Sequence, residues 1–425
     1  MAPPAPTNLR EEYVMASDPG GPSGSAARGP QDFEKVLDKS ATEVASFEAH
    51  DKSPIAKFHH FLHANPTAAP VVVLVLSCIV FGVIANNFFS AFNLSLIIQQ
   101  VTIIGILGAA QTLVILTAGI DLSVAAIMVL SYMVMARLAV QGDVPSVLAV
   151  LAGLAVGLAC GLFNGSLVTR TRLVPVAVAV LAWVLLLSFG LPLIYVVPLG
   201  MLAGLAVGWF SFGPALELRL PPFIVTLGAW SIFFALNLWY SESETIRSQD
   251  IDTTAPLLKI FGVRVELLGA QFTLGSFLMV GIFIVLWYAL NWTGWGRAVY
   301  AVGDDKEAAE LSGIRTDRVL LSVYGAAGFL CALGGWAAIG RVGSASPQSF
   351  YEGNLDAITA VVIGGTSLFG GRGAIFGTLF GALIVGVFRS GLKLGGVDVL
   401  WQTFAVGLLI IVAVAMDQWI RRVTA

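Results

Sequence analysis

The chain has 425 residues, of which 57% are hydrophobic and 12% charged, and its formal net charge is −3. Soluble globular proteins carry about 25% charged residues, so this composition excludes an ordinary soluble domain. Apolar runs of about 20 residues recur along the chain, and each is long enough to cross a bilayer as a helix. Because the runs are continuously apolar rather than alternating, they predict an all-α, polytopic membrane bundle instead of a β-barrel.

Residues 1–66 differ from the rest in being rich in Pro, Gly, Ser, Ala and charge, with nine acidic and six basic side chains. A segment of this composition buries too little apolar surface to offset the entropy of ordering. We therefore expect a disordered cytoplasmic N-terminal tail, with a short helix near 31–48 as the alternative. No apolar stretch typical of a cleavable signal peptide follows the first residues.

The transmembrane domain is expected over residues 67–420, with about ten helices and a possible extra hairpin at 174–213. Positive charges mark cytoplasmic loops. They occur in loop 292–318 and after the last apolar run, which predicts that both termini are cytoplasmic, whereas the acid-rich loop 241–268 is expected outside. The apolar candidates are 67–85, 97–117, 122–141, 146–168, 174–197, 199–213, 222–240, 271–291, 319–339, 357–388 and 399–416.

Two polar residues interrupt the apolar runs of the first half. Asp121 stands in the sequence GIDLS between two candidate spans, and charge at membrane depth is costly enough to mark functional positions. Two compatible roles are open: Asp121 and Ser123 cap the next helix, or Asp121 lines the transport pathway. Asn164 lies within an apolar run, where it either bonds a neighbouring helix or lines the pathway.

Glycine is abundant, with 46 residues, and it clusters in GGTSLFGGRG at 364–373. Non-helical backbone at membrane depth is tolerated where it lines a cavity or is buried in protein. We predict a broken helix at this stretch, which is a feature of transport pathways, and Thr366 and Ser367 are candidate pathway residues. Gly377 and Gly381 form a GxxxG pair that is expected to pack closely on another helix.

A charged segment, AVGDDKEAAELSGI, stands among apolar runs in the second half of the chain. Asp304 and Glu307 match an acidic variant of the capping box, and Gly313 fits the position after a helix end. They predict a two-turn helix over about 305–312 in a cytoplasmic loop. A helix this short is unstable alone and requires a docking surface, the alternative being a solvated loop. Its apolar side consists of Ala308, Ala309 and Leu311.

Five segments occur in order within about residues 70–420: GIDLSV, NGSLVTR, LPPFIVTLG, AVGDDKEAAELSGI and DAITAVVIGGTSLFGGRGAIFGTLFGALI. Together they closely resemble the permease subunits of bacterial ATP-binding-cassette (ABC) importers for monosaccharides, in the ribose, xylose and fructose branch. The segment YSESETIRSQDI at 240–251 looks most like the fructose-type members. The family pattern lacks about 47 residues near 174–220, so these are expected to form an insert, which is either a hairpin or a re-entrant or interfacial segment.

The resemblance implies an inner-membrane pore of two permease subunits, a homodimer or a heterodimer, driven by cytoplasmic ATPase subunits and fed by a periplasmic sugar-binding protein. The chain lacks the G-x-x-x-x-G-K-[ST] motif, so we expect no enzyme activity or cofactor here, and ATP use by the partner. No metal-ligand spacing appears in the sequence, so no metal is expected. The lipid bilayer is a further expected partner, and no nucleic acid is expected to bind. The family's ATPase-coupling loop maps onto Ala301, Gly303, Ala308, Ala309, Gly313 and Ile314, to which we add Asp304, Glu307 and Leu311.

The expected mechanism is alternating access, in which the ATPase subunits move the short helix and the spans follow. A neutral sugar favours a path of amides, hydroxyls and aromatic rings over rings of charge. Two other functions are open, a branched-chain amino-acid ABC permease and a stand-alone secondary transporter, although the latter would pair acids for its coupling ion. The sequence leaves the sugar itself open. The candidate pathway residues are Asp121, Asn164, Thr366 and Ser367.

Overall fold

The fold is known from a computed structural model, which describes residues 68–169, 220–267 and 269–424, together with 192, 195, 198–200 and 202. The predicted tail, residues 1–66, lies outside the described residues. So does most of the predicted insert, including nearly all of the candidate spans 174–197 and 199–213. The predictions for these segments therefore stay predictions.

Helices make up most of the described chain, and its strands are two short ones, which confirms the predicted all-α membrane bundle. Within the described ranges, six helices are long and apolar enough to cross a membrane, and four shorter apolar helices accompany them. In chain order the helices are α1 (Ala68–Ile84), α2 (Ala91–Leu116), α3 (Val124–Val140), α4 (Ser146–Thr169), α5 (Pro222–Ser241), α6 (Ser248–Thr254), α7 (Leu274–Trp292), α8 (Gly294–Asp304), α9 (Lys306–Leu311), α10 (Thr316–Val342), α11 (Gly353–Ile363), α12 (Ile375–Leu394) and α13 (Val399–Thr424).

Helix α2 begins six residues before the predicted start of its apolar run, because polar residues there are satisfied within the fold. The Ser90 side chain accepts a hydrogen bond from the Asn93 N–H and so caps the helix. The Asn93 amide in turn donates to the Phe88 carbonyl and accepts from the Ser390 hydroxyl of α12. The prediction from the apolar run placed the start of the helix too late, because hydrophobicity alone does not indicate these hydrogen bonds.

Helix α10 lies at the centre of the bundle and packs against α2, α3 and α4. Its closest neighbour is α4, and small residues form the contact. A Cβ added at Gly161 would lie 2.2 Å from the Tyr324 carbonyl oxygen, and one at Gly328 would lie 2.2 Å from that of Gly157. Close backbone approach through glycine is how membrane helices gain van der Waals contact, so this pair forms the core of the bundle.

The predicted broken helix is confirmed: α11 ends at Ile363 and α12 begins at Ile375. The two helices pack directly against each other. A Cβ at Gly377 would lie 2.2 Å from the Gly364 carbonyl oxygen, and one at Gly381 would lie 1.9 Å from that of Ala360. The GxxxG pair therefore packs on α11, the preceding segment of the same broken helix.

The two long polar segments are more ordered than the predicted loops. Segment 241–268 contains α6, a 3₁₀ helix (Pro256–Gly262) and strand β1 (Arg264–Leu267). Strand β1 pairs antiparallel with β2 (Ala270–Thr273), in a register that places Arg264 opposite Thr273. Segment 292–318 contains two helices, α8 and α9, where the sequence predicted one.

Candidate functional site

The first candidate site is the segment between α2 and α3, residues 117–123, which we call the first break. Its backbone leaves the helical region at Ala118, where φ is 60°. Asp121 is buried, and its Oδ1 accepts hydrogen bonds from the Ser123 N–H (2.7 Å) and hydroxyl (2.6 Å). Asp121 thus satisfies an N–H group that the start of α3 would otherwise leave unpaired.

Side chains of other helices bond the backbone of the first break. The Thr226 hydroxyl of α5 accepts from the Leu122 N–H (3.1 Å) and can donate to the Ile120 carbonyl (3.0 Å). The Gln111 amide, oriented to satisfy both groups, donates to the Asp121 carbonyl (2.9 Å) and accepts from its N–H (3.2 Å). These bonds replace the backbone hydrogen bonds that a continuous helix would supply. They are needed because backbone N–H and C=O groups buried at membrane depth are costly when unpaired.

Asn164 joins this network from α4. Its Nδ2 donates to the Ser123 hydroxyl oxygen (2.7 Å), so Asn164 and Asp121 are connected through Ser123. This bond is the interhelical role that the sequence left open for Asn164. The Asn164 Oδ1 finds no partner among the described groups. A pathway role for Asp121 or Asn164 stays a prediction, because protein groups cover both side chains in this conformation.

The second candidate site is the segment between α11 and α12, residues 364–374, which we call the second break. Its chain turns on glycines in the left-handed region, among them Gly370 (φ 86°) and Gly371 (φ 67°). Thr366 and Ser367 are each only 2% exposed. The Thr366 hydroxyl makes no hydrogen bond within the described part of the chain. The predicted pathway role of Thr366 and Ser367 stays a prediction, because both side chains are covered by protein groups in this conformation.

The end of α8 lies against both breaks, in a contact that we call the glycine junction. A Cβ added at Gly303 would lie 1.8 Å from the Leu116 carbonyl oxygen, and one at Gly370 would lie 2.6 Å from the Gly303 carbonyl oxygen. The Gly371 N–H donates to that same Leu116 oxygen (3.0 Å). The predicted coupling residue Gly303 therefore touches the end of α2, where the first break begins, and the second break.

A side-chain bond reinforces the glycine junction. The Tyr300 hydroxyl of α8 donates to the Gly373 carbonyl of the second break (2.9 Å). Burial raises the pKa of the Tyr300 phenol, so the hydroxyl keeps its proton at neutral pH and remains a donor. Helix α8 is thus tied to the second break by both backbone packing and a hydrogen bond.

The short helix α9 forms as predicted but with a different cap. Asp305, in an extended conformation, accepts from the N–H groups of Glu307 (2.9 Å) and Ala308 (3.0 Å). The prediction that Asp304 is the cap is wrong, because α8 continues through Asp304 and leaves Asp305 as the first non-helical residue. Gly313 has φ 84°, as its predicted place after the helix end requires.

The coupling candidates divide between an inner and an outer face. Ala309 is buried against Val302 and Leu320, whereas Leu311 is 90% exposed. The prediction of a single apolar side is therefore wrong, since the helix docks on its own subunit through Ala309. The inner group comprises Ala301, Gly303, Ala309 and Ile314, and the outer group comprises Asp304, Glu307, Ala308, Leu311 and Gly313.

An ion pair that the sequence patterns did not predict joins two of the apolar helices. Arg389 of α12 donates to the Asp356 carboxylate of α11 at 2.5 Å, and the Asp356 side chain is only 15% exposed. An acid and an arginine near membrane depth are costly and seek each other as partners. The signal was available, because Asp356 stands one residue before the predicted span 357–388 and Arg389 one residue after it. The glycine cluster separates the two residues in sequence, so no local pattern predicts that they pair.

Comparison with known proteins identifies relatives over nearly the whole chain. A fructose import permease of Rhizobium meliloti is 51% identical over 406 residues, covering 95% of this chain and all of the relative. A ribose import permease of Bacillus subtilis is 33% identical, covering 84% of this chain and 95% of the relative. A ribose import permease of Escherichia coli K12 is also 33% identical, covering 82% of this chain and 92% of the relative.

A family model gives the same assignment at a coarser level. The model described as branched-chain amino acid transport system / permease component matches residues 93–191 and 176–414. Both breaks, α8 and α9 lie inside these matches. No solved structure matches the chain with comparable significance.

Proposed function

Because the chain belongs to the permease family of ABC-type monosaccharide importers, in the ribose and fructose branch, we propose that its sugar is fructose. Identity supports this choice, since it is 51% with a fructose permease and 33% with ribose permeases over most of the chain. The chain is a multi-pass membrane protein and a transport subunit. Family membership also argues against the stand-alone secondary transporter, and the sugar-permease relatives argue against amino acids as the cargo.

We further propose the partners that such a subunit needs. A cytoplasmic ATPase subunit hydrolyses ATP, a periplasmic sugar-binding protein delivers fructose, and a second copy of this chain completes the pore. The positive charges of segment 292–318 support a cytoplasmic position for α8 and α9, with both termini on the same side. The ATPase then meets the outer group of coupling residues, where Leu311 projects.

One observation carries the coupling proposal: α9 presents Leu311 outward while the adjoining α8 touches both breaks. A solvent-exposed leucine on a two-turn helix gains from burial in a partner's groove. Movement of that partner displaces α9 and, through Ala309 and Gly303, the glycine junction. The glycine junction joins α8 to both breaks, so the motion of α8 reaches the helices that flank them, α2, α3, α11 and α12.

The mechanism is alternating access with the sugar as a neutral cargo. ATP binding closes the ATPase pair, pushes α9 and α8, and opens the subunit pair toward the loaded binding protein. Hydrolysis and product release then return the helices to their starting positions. In this scheme Asp121 and Asn164 hold the first break together, and Thr366 and Ser367 face the sugar after the second break moves.

Reconstitution tests this function. The chain, its ATPase subunit and the binding protein are placed in liposomes, and uptake of labelled fructose is measured with and without ATP. Leu311→Asp is expected to abolish uptake without affecting insertion, whereas Leu311→Met, which keeps an apolar side chain, serves as the matched control. Full uptake by Leu311→Asp would refute the coupling role. Uptake by the chain alone, without ATP, would refute the function.

A further inference from the structure

The second break contains a small closed loop, residues 367–372, which we call the tip. The Ser367 N–H donates to the Arg372 carbonyl (2.9 Å), and the Gly370 N–H donates to the Ser367 carbonyl (3.1 Å). The Ser367 hydroxyl accepts a hydrogen bond from the Phe369 N–H (3.2 Å). Hydrogen bonds between a serine and its own neighbouring backbone fix turns, so the tip is a built loop of defined shape.

The tip presents an aromatic and a basic side chain on the surface of the subunit. Phe369 is 69% exposed and Arg372 is exposed as well, whereas Ser367 of the same loop is buried. Arginine places its charged group in water, and in membrane proteins it is enriched in cytoplasmic loops. The tip is also in contact with α8, whose segment carries the positive charges of the second half. Both features favour the cytoplasmic surface as the place of the tip.

The tip is continuous with the outer group of coupling residues. A Cβ added at Gly371 would lie 2.7 Å from the Asp304 Cα, so the tip abuts the end of α8 just before α9 begins. Helix α9 has six residues and is therefore about 9 Å long, with Leu311 at its far end. A protein interface of standard size covers about 800 Å² on each partner. A protein that covers Leu311 is therefore wide enough to reach the tip.

The chemistry of this joined surface fits a protein better than it fits lipid. Aromatic residues and arginine are enriched in protein interfaces, where they supply many of the strongest contacts. Phe369 and Arg372 stand side by side with the exposed acids Asp304 and Glu307 of the outer group. The cytoplasmic lipid leaflet is negatively charged, so its headgroups would repel these two acids. A protein partner can match both signs of charge and cover the apolar side chains between them.

We propose that the tip is a second contact point for the ATPase subunit, separate from α9. This inference rests on the proposed function. It adds that the ATPase subunit acts on the second break directly, and not only through α8 and the glycine junction. Because the ATPase subunit then holds both α9 and the tip, a change in its own shape moves one against the other. Phe369 is the apolar anchor of this contact, and Arg372 is its charged neighbour.

Photo-crosslinking in the complete importer tests the contact. The photoreactive residue p-benzoyl-phenylalanine replaces Phe369 in liposomes that hold the chain, its ATPase subunit and the binding protein. Light is expected to join position 369 to the ATPase subunit. The matched control is the same replacement of Phe92, which is 57% exposed and lies at the start of α2. Leu116, which contacts the tip, ends that helix, so Phe92 is about 36 Å away along it and should not reach the ATPase subunit.

The affinity of the ATPase subunit for the permease gives a second measurement. The ATPase subunit is titrated onto the full chain in lipid nanodiscs. Phe369→Ala is expected to weaken binding about tenfold, because an aromatic anchor of the interface is lost. Phe369→Leu keeps an apolar side chain and is expected to weaken binding less, and Phe92→Ala is expected to leave it unchanged. The thermal unfolding temperature should stay the same in all three variants, because both phenylalanines are exposed.

The proposal requires both the crosslink and the weakened affinity. It is overturned if position 369 joins only lipid or a second copy of this chain, if positions 369 and 92 trap the ATPase subunit equally, or if Phe369→Ala binds as tightly as the wild type. In each of these cases a loss of uptake in Leu311→Asp shows that coupling through α9 stands and that only the second contact fails. If the wild-type importer moves no fructose with ATP, the proposed function itself fails.

Discussion

In the first break, the side chains of Gln111 and Thr226 hydrogen-bond the non-helical backbone, whereas in the second break glycines bring backbone directly against backbone. Asn354 of α11 adds to the first break by donating to the Leu122 carbonyl at 3.3 Å. The second break receives one such bond from another helix among the described contacts, from Tyr300. The first break is thus bonded by polar side chains of several helices, and the second is held mainly by close backbone packing.

This difference indicates how the two segments respond to motion. Hydrogen bonds that replace a helical ladder are directional, and leaving one unmade in a buried site costs about 1–3 kcal/mol. Close glycine contacts are non-directional but tolerate no added atom. We therefore expect the first break to keep its shape and to move with α3 as one body. The second break is the segment expected to change conformation when α8 moves.

The largest effect is expected from Gly303→Ala at the glycine junction. The new Cβ would lie 1.8 Å from the Leu116 carbonyl oxygen, a backbone atom that cannot move aside alone. We expect the free energy of unfolding to fall by more than about 3 kcal/mol, and uptake to be lost. Thermal unfolding in detergent measures the first and proteoliposome uptake the second.

Gly281→Ala in α7 is the matched control, since a Cβ at Gly281 meets no atom within 4 Å. It is expected to be neutral or slightly stabilising, because alanine is the better helix former. Equal unfolding temperatures for the two variants would show that the glycine junction is not tightly packed.

Thr226→Val tests the hydrogen-bonded break. The substitution preserves side-chain shape and removes the hydroxyl, so the partly buried Leu122 N–H loses its partner. The free energy of unfolding should fall by about 1–3 kcal/mol. Ser231→Ala on the same helix is the control, since Ser231 is exposed and its hydroxyl bonds only the preceding turn. An unchanged stability for Thr226→Val would mean that water or another group can replace the threonine.

Tyr300→Phe tests the bond between α8 and the second break. Loss of the hydrogen bond to Gly373 should lower the stability by about 1 kcal/mol. If α8 drives the second break, the fructose moved per ATP should fall as well, although the ATPase surface is untouched. A loss of stability with an unchanged transport ratio would assign Tyr300 a purely structural role.

The smallest effect on stability is expected from Thr366→Val in the second break. Its hydroxyl has no partner among the described groups, so removal should change the free energy of unfolding by less than about 0.5 kcal/mol. Thr366→Val and Thr226→Val make the same chemical change in the two breaks, so their difference in stability compares the breaks directly. Reduced fructose uptake at unchanged stability would support Thr366 as a pathway residue, and unchanged uptake would remove it from the path.

Sequence patterns predicted a segment well where a single feature of its composition was strong. Continuous apolar runs located the spans, and glycine with polar residues located the second break. The capping of α9 was shifted by one residue, because Asp304 and Asp305 are equivalent by type and only the backbone distinguishes them. The contact of the Trp230 ring with the Tyr351 ring went unpredicted, because 121 positions separate the two residues.

The amino-acid sequence by itself determined what each segment must do with its own atoms. Apolar runs of about 20 residues are long enough to cross the membrane, and the glycine cluster at 364–373 interrupts the helix that contains it. Helix α9, with six residues, is too short to be stable without a surface to dock on. Only the tertiary structure decided which distant segments meet. It placed Gly303 between the two breaks, Thr226 on the first break and Arg389 beside Asp356. Such contacts depend on how whole helices pack, and no local pattern of residues encodes that geometry.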